Sequence, residues 1–470
     1  IKSSAASDVY KRQIWINCRG RVLSDPEDGS PRYLVGCINE IGAKQKADNV
    51  SGLLGEYSLK IFYESRSPKL PQGFLLRIGI DDFKNINESH GNEYGDYILR
   101  RTAQCIEENI GPEQSLFHIV ADEFAVVDFS GGSVQQAEDL FHEIKKSIYA
   151  FIEQNQYKAV YTVSGGIVKN GDVDNSFENA MKLSEFALSE AKERGKNSCY
   201  VFEEEEYEDY LKSRTLLRQL HHAVNNGFEG FEAYFQPLVN AANGELTGAE
   251  TLLRFHSPEG GMVSPGEFIP ILEESGLIIP VGRWVLRQAL DACREWQKIL
   301  PEFKVNVNLS YVQVLKSRVL TDVRRIVDEF GVKPSSVCIE LTESGYLEEN
   351  ERFDKVWNGL KEYGVLLALD DFGTGYSNLR CLSDLKPAYI KIDRSFTLKA
   401  LNREYEYRLL NHIVEMSHSL GLHVCVEGIE TEGELTKAKQ TEPDYIQGFL
   451  FGKPCSRAEF TQKFFTKQAG

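Results

Sequence analysis

Short apolar runs recur through the last half of the chain, with a polar residue at or near the end of each. After Asn308 these polar residues lie roughly 20 to 36 positions apart, which is about the length of one strand–helix–strand unit. Repetition of that unit around a closed sheet predicts an α/β fold of the (β/α)8 barrel type. The runs that we expect to form strands are Val305–Val307, Val337–Ile339, Val365–Leu369, Tyr389–Ile392, His423–Val426 and Tyr445–Leu450.

The first strand of this barrel, Ala233–Val239, is joined to the next strand by the short segment Asn240–Glu245. A parallel crossover needs about a dozen residues or more. The segment also contains Asn243-Gly244, a pair that is typical of a tight hairpin turn. We therefore predict that the first strand runs antiparallel to its neighbour, whereas an ordinary barrel of this type is all-parallel.

Between residues 46 and 203 the pattern alternates strands with helices. We predict a hairpin around Asp122-Glu123. Gly195 follows the predicted helix Ser176–Arg194 and is expected to end it as a C-cap. The acidic run Glu203–Glu208 leads into a helix through Val224, and a solvated helix face or linker is the ordinary explanation for its charge. The predicted elements are strands Phe74–Ile80, Leu116–Ile119, Phe124–Val127 and Ala159–Val168, and helices Gly95–Ile110 and Ser176–Arg194.

The first 45 residues contain two strand-like runs between Ile14 and Ile41, separated by the turn-rich segment Asp25–Pro31. Ile1–Gln13 has no clear periodicity, and we expect it to be a poorly ordered lead-in. The two runs resemble the C-terminal part of a PAS sensor domain, without the half that cradles a ligand. We therefore divide the chain into residues 1–45, 46–203 and 204–470, the last comprising a linker helix and the barrel.

Composition narrows the class of protein. The 470 residues are enough for two or three domains, and the net charge of -17 argues against general nucleic-acid binding. Nine scattered cysteines without a CxxC motif are typical of thiols in a reducing cytoplasm. No run reaches the roughly 18 apolar residues that span a bilayer. Because the chain begins at Ile1, we expect a cytoplasmic fragment of a longer protein, with room for a membrane or sensor segment upstream.

The polar residues at the predicted strand ends include six carboxylates. Taken singly, each has an ordinary explanation: a solvated rim residue, a loop cap, or turn chemistry at Asp370-Asp371. Together at one barrel mouth they would repel one another unless a cation neutralised them, which predicts a metal site. The full set is Glu250, Asn308, Glu340, Asp370, Asp371, Lys391, Glu427, Glu430 and Gln447.

The segments around these residues form an ordered series of motifs. They are Gln236-Pro237, Glu250-Thr251-Leu252-Leu253-Arg254, Asn308-Leu309-Ser310, Glu340-Leu341-Thr342-Glu343, Asp370-Asp371-Phe372-Gly373-Thr374-Gly375, Lys391-Ile392-Asp393, Glu427-Gly428-Ile429-Glu430 and Gln447-Gly448. Over the whole C-terminal block this series resembles the EAL domain of cyclic di-GMP phosphodiesterases. Thr251 stands where that signature has Ala, and Asn378 stands where the family commonly has Ser.

The resemblance implies hydrolysis of cyclic di-GMP to linear pGpG with two Mg²⁺ or Mn²⁺ ions, which prefer hard oxygen ligands. Asp370 would bridge the two ions. Asp371 and, directly or through water, Glu427 would complete the ligands of the second ion. Lys391 would orient the attacking water or assist its deprotonation, and because a lysine among carboxylates stays charged, a literal general-base role is disfavoured. The remaining ligands of the first ion would be Glu250, Asn308 and Glu340, and the substrate contacts would be Gln236, Arg254, Glu430 and Gln447. Glu343 would anchor the loop Asp371–Ser377, and a homodimer through the barrel is expected.

The second block resembles a GGDEF domain, the nucleotidyl-cyclase-like α/β fold of diguanylate cyclases. Gly79-Ile80-Asp81-Asp82-Phe83-Lys84 matches its first motif, but Gly79 replaces the first metal-binding Asp. The signature turn reads Val120-Ala121-Asp122-Glu123-Phe124, so two β-carbons enter space that the triphosphate needs, and Val also disfavours positive φ. The product-inhibition RxxD motif is absent at Gly111–Gln114. We therefore expect a degenerate domain without cyclase activity.

Some nucleotide contacts remain in this domain. Asn87 and Asp96 occupy the guanine-recognition positions, and Lys192 occupies a phosphate-contact position. One interpretation is that the domain binds GTP without turnover and regulates the barrel. The other is that Asn87 caps a turn and Asp96 starts a helix favourably.

Three rival functions for the whole chain stay open. A catalytically silent cyclic di-GMP receptor is opposed by the retained carboxylates. A bifunctional cyclase–phosphodiesterase is opposed by Gly79 and Val120-Ala121. A scaffold that binds a protein partner through the GGDEF surface is neither favoured nor opposed.

Overall fold

The computed structural model describes residues 2–7, 13–24, 31–41, 47–66, 73–156, 158, 160–170, 176–342, 351–373 and 379–466, with the backbone alone for the first three ranges and for 379–381. The chain divides into two compact units, Ile1–Tyr210 and Leu211–Gly470. Within the described ranges, every helix is too short or too polar to span a lipid bilayer.

The N-terminal segment forms a three-stranded antiparallel sheet of β1 (Lys2–Ser7), β2 (Gln13–Ser24) and β3 (Pro31–Ile41). The two strands expected between Ile14 and Ile41 are present. The expectation of an unstructured lead-in is wrong for Lys2–Ser7, which pairs with Gln13–Cys18 through its backbone. Such pairing needs no alternation of apolar side chains, so the sequence pattern did not indicate it. The likeness to a PAS domain stays a prediction.

The next domain is a five-stranded sheet covered by helices. Its elements are α1 (Glu56–Arg66), β4 (Phe74–Ile80), α2 (Phe83–His90), α3 (Asn92–Asn109), β5 (Gln114–His118), β6 (Glu123–Asp128), α4 (Val134–Gln154), β7 (Val163–Lys169), α5 (Phe177–Glu193) and β8 (Cys199–Val201). The strand order is β5-β6-β4-β7-β8. All of β4 is buried, because its alternate side chains, such as Phe74 and Leu75, enter separate cores on the two faces of the sheet. The predicted strand Phe74–Ile80 is confirmed.

The C-terminal unit is a closed barrel, preceded by a helix. Its elements are α6 (Glu204–Asn225), β9 (Phe231–Asn240), β10 (Leu246–His256), β11 (Met262–Val263), α7 (Pro265–Glu274), α8 (Ile278–Trp296), β12 (Lys304–Asn308), α9 (Tyr311–Lys316), α10 (Val319–Phe330), β13 (Val337–Thr342), α11 (Glu351–Tyr363), β14 (Leu366–Phe372), α12 (Leu379–Leu385), β15 (Tyr389–Ile392), α13 (Arg394–Asn402), α14 (Glu404–Ser419), β16 (His423–Val426), α15 (Glu432–Lys439), β17 (Tyr445–Gln447), β18 (Cys455–Ser456) and α16 (Arg457–Phe464). Eight strands close the barrel in the order β9-β10-β12-β13-β14-β15-β16-β17, and β17 pairs back with β9.

The first barrel strand runs antiparallel to both of its neighbours, β10 and β17, as predicted from the short connection. The backbone N–H of Asn240 donates to the carbonyl of Glu245 at 2.9 Å, which closes the hairpin. Gly244 has φ of 74°, a conformation that Gly adopts without the strain that a β-carbon would bring. The tight turn that contains Asn243-Gly244 therefore reverses the chain direction between β9 and β10.

An apolar shell outside the barrel holds the strands in place. Trp296 at the end of α8 is fully buried, stacks on Phe465 with ring centroids 5.6 Å apart, and meets Phe235 edge-on. Burial of each large side chain contributes about 1.5–3 kcal/mol. Because this outer shell supplies much of the stability, the inward side chains of the barrel strands can be polar.

Candidate metal centre

The polar residues at the strand ends meet inside the barrel because the strands are in register. Glu250 on β10 lies opposite Gln236 on β9 and Asn306 on β12, and Asn308 lies opposite Glu340 on β13. Residues that lie opposite one another in a sheet point to the same face. The barrel thereby brings together carboxylates that are up to 177 positions apart in the chain, from Glu250 to Glu427.

Lys391 lies at the centre of this cluster. Its side chain is 3% exposed, and its ammonium lies 3.2 Å from Glu250, 3.0 Å from Glu340, 3.3 Å from Asp370 and 2.8 Å from Glu427. All four carboxylates have side chains that are at most 17% exposed. One ammonium thus faces four buried carboxylates, an arrangement with a large excess of negative charge.

The charges of Lys391 and Glu250 support each other. Burial alone lowers the pKa of Lys391, but Asp370, Glu250, Glu340 and Glu427 outweigh it and raise the pKa well above its usual range. Burial raises the pKa of Glu250, but Lys391 and hydrogen bonds from Gln447 and Asn308 bring it below its ordinary value. Lys391 therefore stays protonated, and Glu250 stays ionised.

The other carboxylates of the cluster hold protons more tightly. Burial raises the pKa of Glu340 well above its usual range and raises that of Asp370, in spite of Lys391. Burial, against the attraction of Lys391 and with the repulsion of Asp370, raises the pKa of Glu427 to about 8. Burial is the largest cause of these raised pKa values, and repulsion between the neighbouring carboxylates adds to it.

A β-bulge directs both Asp370 and Asp371 into the barrel mouth. On β14, Leu369 pairs with Ile390 and Phe372 with Ile392, so three steps on one strand face two on the other. Simple alternation would point two consecutive residues to opposite faces, but the extra residue re-aims the second one. Asp371 has φ of 58°, its N–H donates to Asp370 Oδ1 at 2.9 Å, and burial with repulsion from Asp370 raises its pKa to about 6.

Two amides, those of Asn308 and Gln447, donate to the two oxygens of Glu250. Asn308 Nδ2 donates to Oε1 at 2.8 Å, and Gln447 Nε2 donates to Oε2 at 2.7 Å and to Gln236 Oε1 at 3.1 Å. Gln236 and Gln447 were predicted to contact substrate; the structure places Gln447 against Glu250, and Gln236 against Gln447. Since the nitrogen of Asn308 is engaged, its oxygen is the atom that can serve as a metal ligand.

The other two predicted substrate contacts lie apart from the cluster. Arg254 is half-buried, donates to the carbonyl of Leu253 at 2.8 Å and lies 5.5 Å from the centroid of the Tyr234 ring. Glu430 is exposed and pairs with Arg394 at 2.5 Å. Glu343 and residues 374–378 of the loop Asp371–Ser377 lie outside the described residues, so the anchoring role of Glu343 stays a prediction.

Asn306 is a contact of the cluster that the motifs did not indicate. Its side chain is buried, and its Nδ2 donates to Glu340 Oε1 at 2.7 Å. The sequence carries one signal for it, because Asn306 precedes Asn308 by two positions on the same strand and so shares its face. A buried amide within an otherwise apolar strand needs a partner, and here the partner is a carboxylate of the cluster.

The residues of the cluster fit a divalent cation. Carboxylate oxygens of Glu250, Glu340 and Asp370 lie within 4.8 Å of one another. Glu427 Oε1 lies 2.8 Å from Lys391 Nζ, and this ion pair is its contact among the described residues. A set of hard oxygens with excess negative charge is the environment that Mg²⁺ or Mn²⁺ prefers.

The signature turn of the upstream domain has a different construction. A β-carbon on Gly79 would lie 2.9 Å from the ammonium of Lys192, so the lysine fills the space beside this position. Burial raises the pKa of Asp122, which Lys192 partly offsets. The residue of the turn with a positive φ is Ala121, at 50°. Val120, for which we expected a conflict with positive φ, does not adopt it, and its side chain is exposed.

One of the remaining nucleotide positions of this domain, Asn87, packs against the start of α3. The Oδ1 atom of Asn87 lies 1.8 Å from where a β-carbon on Gly95 would be, so only Gly allows this contact. Asp96 follows Gly95 on α3 and is half-buried. Asp81, next to the turn, accepts hydrogen bonds from Thr162 at 2.6 Å and Ser164 at 2.7 Å, and so has a structural explanation.

The fold and the site together define a (β/α)8 barrel with a carboxylate cluster at the strand ends. The EAL domain model matches residues 217–454, and the model of the diguanylate cyclase, GGDEF domain matches residues 58–198. The chain belongs to the EAL domain family, with a GGDEF domain N-terminal to the EAL domain.

Relatives share both domains. MucR of Pseudomonas aeruginosa, a bifunctional diguanylate cyclase/cyclic di-GMP phosphodiesterase, is 29% identical over 381 residues, which cover 81% of this chain and 55% of MucR. The cyclic di-GMP phosphodiesterase PdeR of Escherichia coli is 29% identical over 452 residues, covering 96% of this chain and 67% of PdeR. The structure of the EAL enzyme Bd1971 in its cAMP-bound form aligns with a TM-score of 0.52 and 27% identity, covering 64% of this chain and 80% of that chain. The chain spans about half the length of the first curated relatives that it matches.

Proposed function

We propose that the EAL domain of this chain is a phosphodiesterase that hydrolyses cyclic di-GMP to linear pGpG with Mg²⁺ or Mn²⁺. The observation that carries the proposal is the group of four buried carboxylates around Lys391 at the ends of the barrel strands. MucR and PdeR, which are named for a cyclic di-GMP phosphodiesterase activity, support the choice of substrate.

The cluster divides into two sets of ligands that share Asp370. Two bound divalent ions would lower the pKa of a coordinated water and neutralise charge on the scissile phosphate. The residues that would hold one ion are Glu250, Asn308, Glu340 and Asp370, and those that would hold the second are Asp370, Asp371 and Glu427.

Hydrolysis adds the oxygen of a water to phosphorus and breaks the bond between phosphorus and a ribose 3′ oxygen. The departing 3′ oxygen takes up a proton, and the product carries a terminal 5′-phosphate. Lys391 acts as a cation in this reaction, because the surrounding carboxylates keep it protonated. It orients the water and balances charge on the phosphate oxygens, with no role as a base.

The remaining polar residues hold the cluster and the substrate. Gln236 and Gln447 keep Glu250 in place through the hydrogen bonds of Gln447. Arg254 and Glu430 lie outside the carboxylate cluster, where they would meet a phosphate and a guanine of the substrate.

The test is to incubate the purified 470-residue chain with cyclic di-GMP and Mg²⁺ or Mn²⁺, and to separate the products by chromatography. We expect pGpG from the wild-type protein and none after Glu250→Ala. The matched control is Glu404→Ala, an exposed glutamate on α14, which should retain full activity. Binding of cyclic di-GMP without any pGpG would instead favour a silent receptor, and unchanged turnover by Glu250→Ala would refute the metal assignment.

The GGDEF domain is proposed to be regulatory and without cyclase activity. Gly79 offers no metal ligand, and the ammonium of Lys192 lies 2.9 Å from where a β-carbon at this position would be. Asn87 lies against Gly95, the residue before Asp96, and an amide and a carboxylate suit guanine recognition, which supports binding of GTP without turnover. Isothermal titration of the full chain with GTP should give a binding isotherm that Asp96→Ala removes. No heat up to millimolar GTP would rule out this regulatory role, and formation of cyclic di-GMP from GTP would rule out the inactive assignment.

A homodimer through the EAL domain, the domain limits at 45 and 203, and a cytoplasmic location are further parts of the proposal. Sedimentation of the purified chain, with and without cyclic di-GMP, tests for the dimer. We expect a species of twice the 53.2 kDa chain mass.

A further inference from the structure

Asn306 is a buried amide beneath the carboxylate cluster. It lies on β12, opposite Glu250 on β10 and opposite Cys338 on β13, and its residue is 7% exposed. Its Nδ2 donates to Glu340 Oε1 at 2.7 Å, a short and direct contact. Asn306 therefore enters the barrel one step below Asn308 and contacts a carboxylate from the interior side.

Glu340 is held from two directions. Asn306 binds its Oε1, and Lys391 binds its Oε2 at 3.0 Å. The side chain of Glu340 is 0% exposed, so no bulk water can replace either donor. A carboxylate that loses one of two donors can rotate about its terminal torsion, which has a broad energy profile. Asn306 thus determines which oxygen of Glu340 faces the other carboxylates.

We propose that Asn306 is a positioning residue that sets the orientation of Glu340 for divalent-metal binding; this rests on the proposed metal-dependent phosphodiesterase function. Partners that orient metal ligands typically contribute about 10–100-fold to metal affinity or activity. Asn306 would act only through Glu340, so its loss should weaken the metal site while leaving recognition of the nucleotide unchanged.

Two substitutions test this role in the full chain. Asn306→Ala removes the amide, and Asn306→Leu removes the donor while keeping a similar side-chain volume. We expect Mn²⁺ affinity, measured by calorimetry without substrate, to fall about 10-fold in both variants. In the phosphodiesterase assay, the Mn²⁺ concentration for half-maximal rate should rise by the same factor. The KM for cyclic di-GMP at saturating Mn²⁺ should stay at the wild-type value, a pattern that general loss of structure would not produce.

The control is Thr251→Val, a buried residue on the adjacent strand whose side chain faces away from Glu250. It should bind Mn²⁺ as the wild-type protein does. Wild-type Mn²⁺ affinity in a folded Asn306→Ala or Asn306→Leu variant would overturn the proposal. If circular dichroism shows that Asn306→Ala is unfolded, Asn306→Leu decides the question, and failure of both to fold would assign Asn306 a purely structural role. Wild-type protein that binds Mn²⁺ but yields no pGpG would contradict the proposed function alone.

Discussion

The barrel mouth and the signature turn of the upstream domain both place acidic residues at strand ends, but they balance the charge differently. In the barrel, Lys391 faces four carboxylates at 2.8–3.3 Å, and three of them have raised pKa values. In the turn, Lys192 fills the space beside Gly79, and Lys196 pairs with Asp82 at 2.7 Å. The barrel has negative charge to neutralise, whereas Asp122 in the turn and Asp82 beside it each have a lysine nearby.

This difference bears on which of the two regions suits a divalent ion. Gly79 offers no carboxylate at the end of its strand, and the ammonium of Lys192 lies beside this position. The turn is satisfied by its own side chains, so a divalent ion would gain little there. The barrel keeps an excess of oxygen ligands, which is the reason to expect ion binding and catalysis in that domain alone.

The largest effect should follow loss of the central cation of the barrel. Lys391→Met leaves four buried carboxylates without an ammonium, and removal of one partner from a buried ion pair costs about 3–5 kcal/mol. We expect loss of pGpG formation and a fall of that size in the free energy of unfolding of the metal-free barrel, measured by denaturant titration. The exposed Lys333→Met is the control and should be neutral. Full activity in Lys391→Met would mean that the cluster balances its charge without this residue.

A second prediction concerns pH and metal. Glu427 has a pKa of about 8 in the folded protein against 4.5 ordinarily, so the native state binds more protons than the unfolded state between these values. Stability without metal should therefore fall as pH rises from about 5 to 8. Glu340, Asp370 and Asp371 act in the same direction, while the lowered pKa of Glu250 opposes them only near its ordinary range.

The measurement is the thermal unfolding midpoint of the barrel at pH 5 and pH 8, with and without Mn²⁺. Without the ion, the midpoint should be lower at pH 8; with the ion, the difference should shrink, because the ion favours ionised carboxylates. A metal-free midpoint that rises between pH 5 and 8 would contradict the charge excess on which the comparison rests.

Each of the two regions contains a residue with a left-handed backbone conformation, and the two residues offer a matched pair of substitutions. Ala121 has φ of 50° and Asp371 has φ of 58°, and a left-handed conformation costs an L-residue about 1–2 kcal/mol. Ala121→Gly should therefore stabilise the upstream domain by about 1 kcal/mol and leave hydrolysis unchanged. Asp371→Gly should relieve a smaller strain, since Asp tolerates this region better.

For Asp371→Gly, hydrolysis should fall by about 100-fold or more, because a charged contact of the reaction is removed. Denaturant unfolding and the chromatographic assay on both variants separate the two effects. The comparison fails if Ala121→Gly lowers hydrolysis as much as Asp371→Gly does.

The smallest effect should come from Thr251. Its residue is 2% exposed, and its hydroxyl has no hydrogen-bond partner among the described residues. Thr251→Val keeps the shape, removes an unsatisfied polar group and should stabilise the barrel by about 1 kcal/mol with unchanged hydrolysis. Thr441→Val is the opposite case, because Thr441 Oγ1 donates to the carbonyl of Ala438 at 2.8 Å, and it should be neutral or destabilising. Equal changes in the two unfolding curves would refute the assignment of Thr251 as unsatisfied.

Much of the fold could be predicted from local pattern. Tyr389–Ile392 and His423–Val426 are strands with the predicted limits, and Asn243-Gly244 indicated the antiparallel hairpin. Element ends were less predictable: the helix expected to begin at Gly95 begins at Asn92, after a turn at Gly91. Lys2–Ser7 pairs through its backbone, and its side chains do not alternate between apolar and polar, so this strand could not be predicted from the sequence pattern.

The sequence by itself indicated the acids that come together at the barrel mouth, because acids that end apolar runs can be identified from spacing and alternation. Only the tertiary structure decided how they meet. The bulge on β14 turned Asp371 toward Asp370, closure of the barrel placed Lys391 among four carboxylates, and register placed Asn306 against Glu340. Glu430, by contrast, was turned toward Arg394. The physical reason is that alternation describes one strand at a time, whereas a charge cluster depends on register and closure across all eight strands.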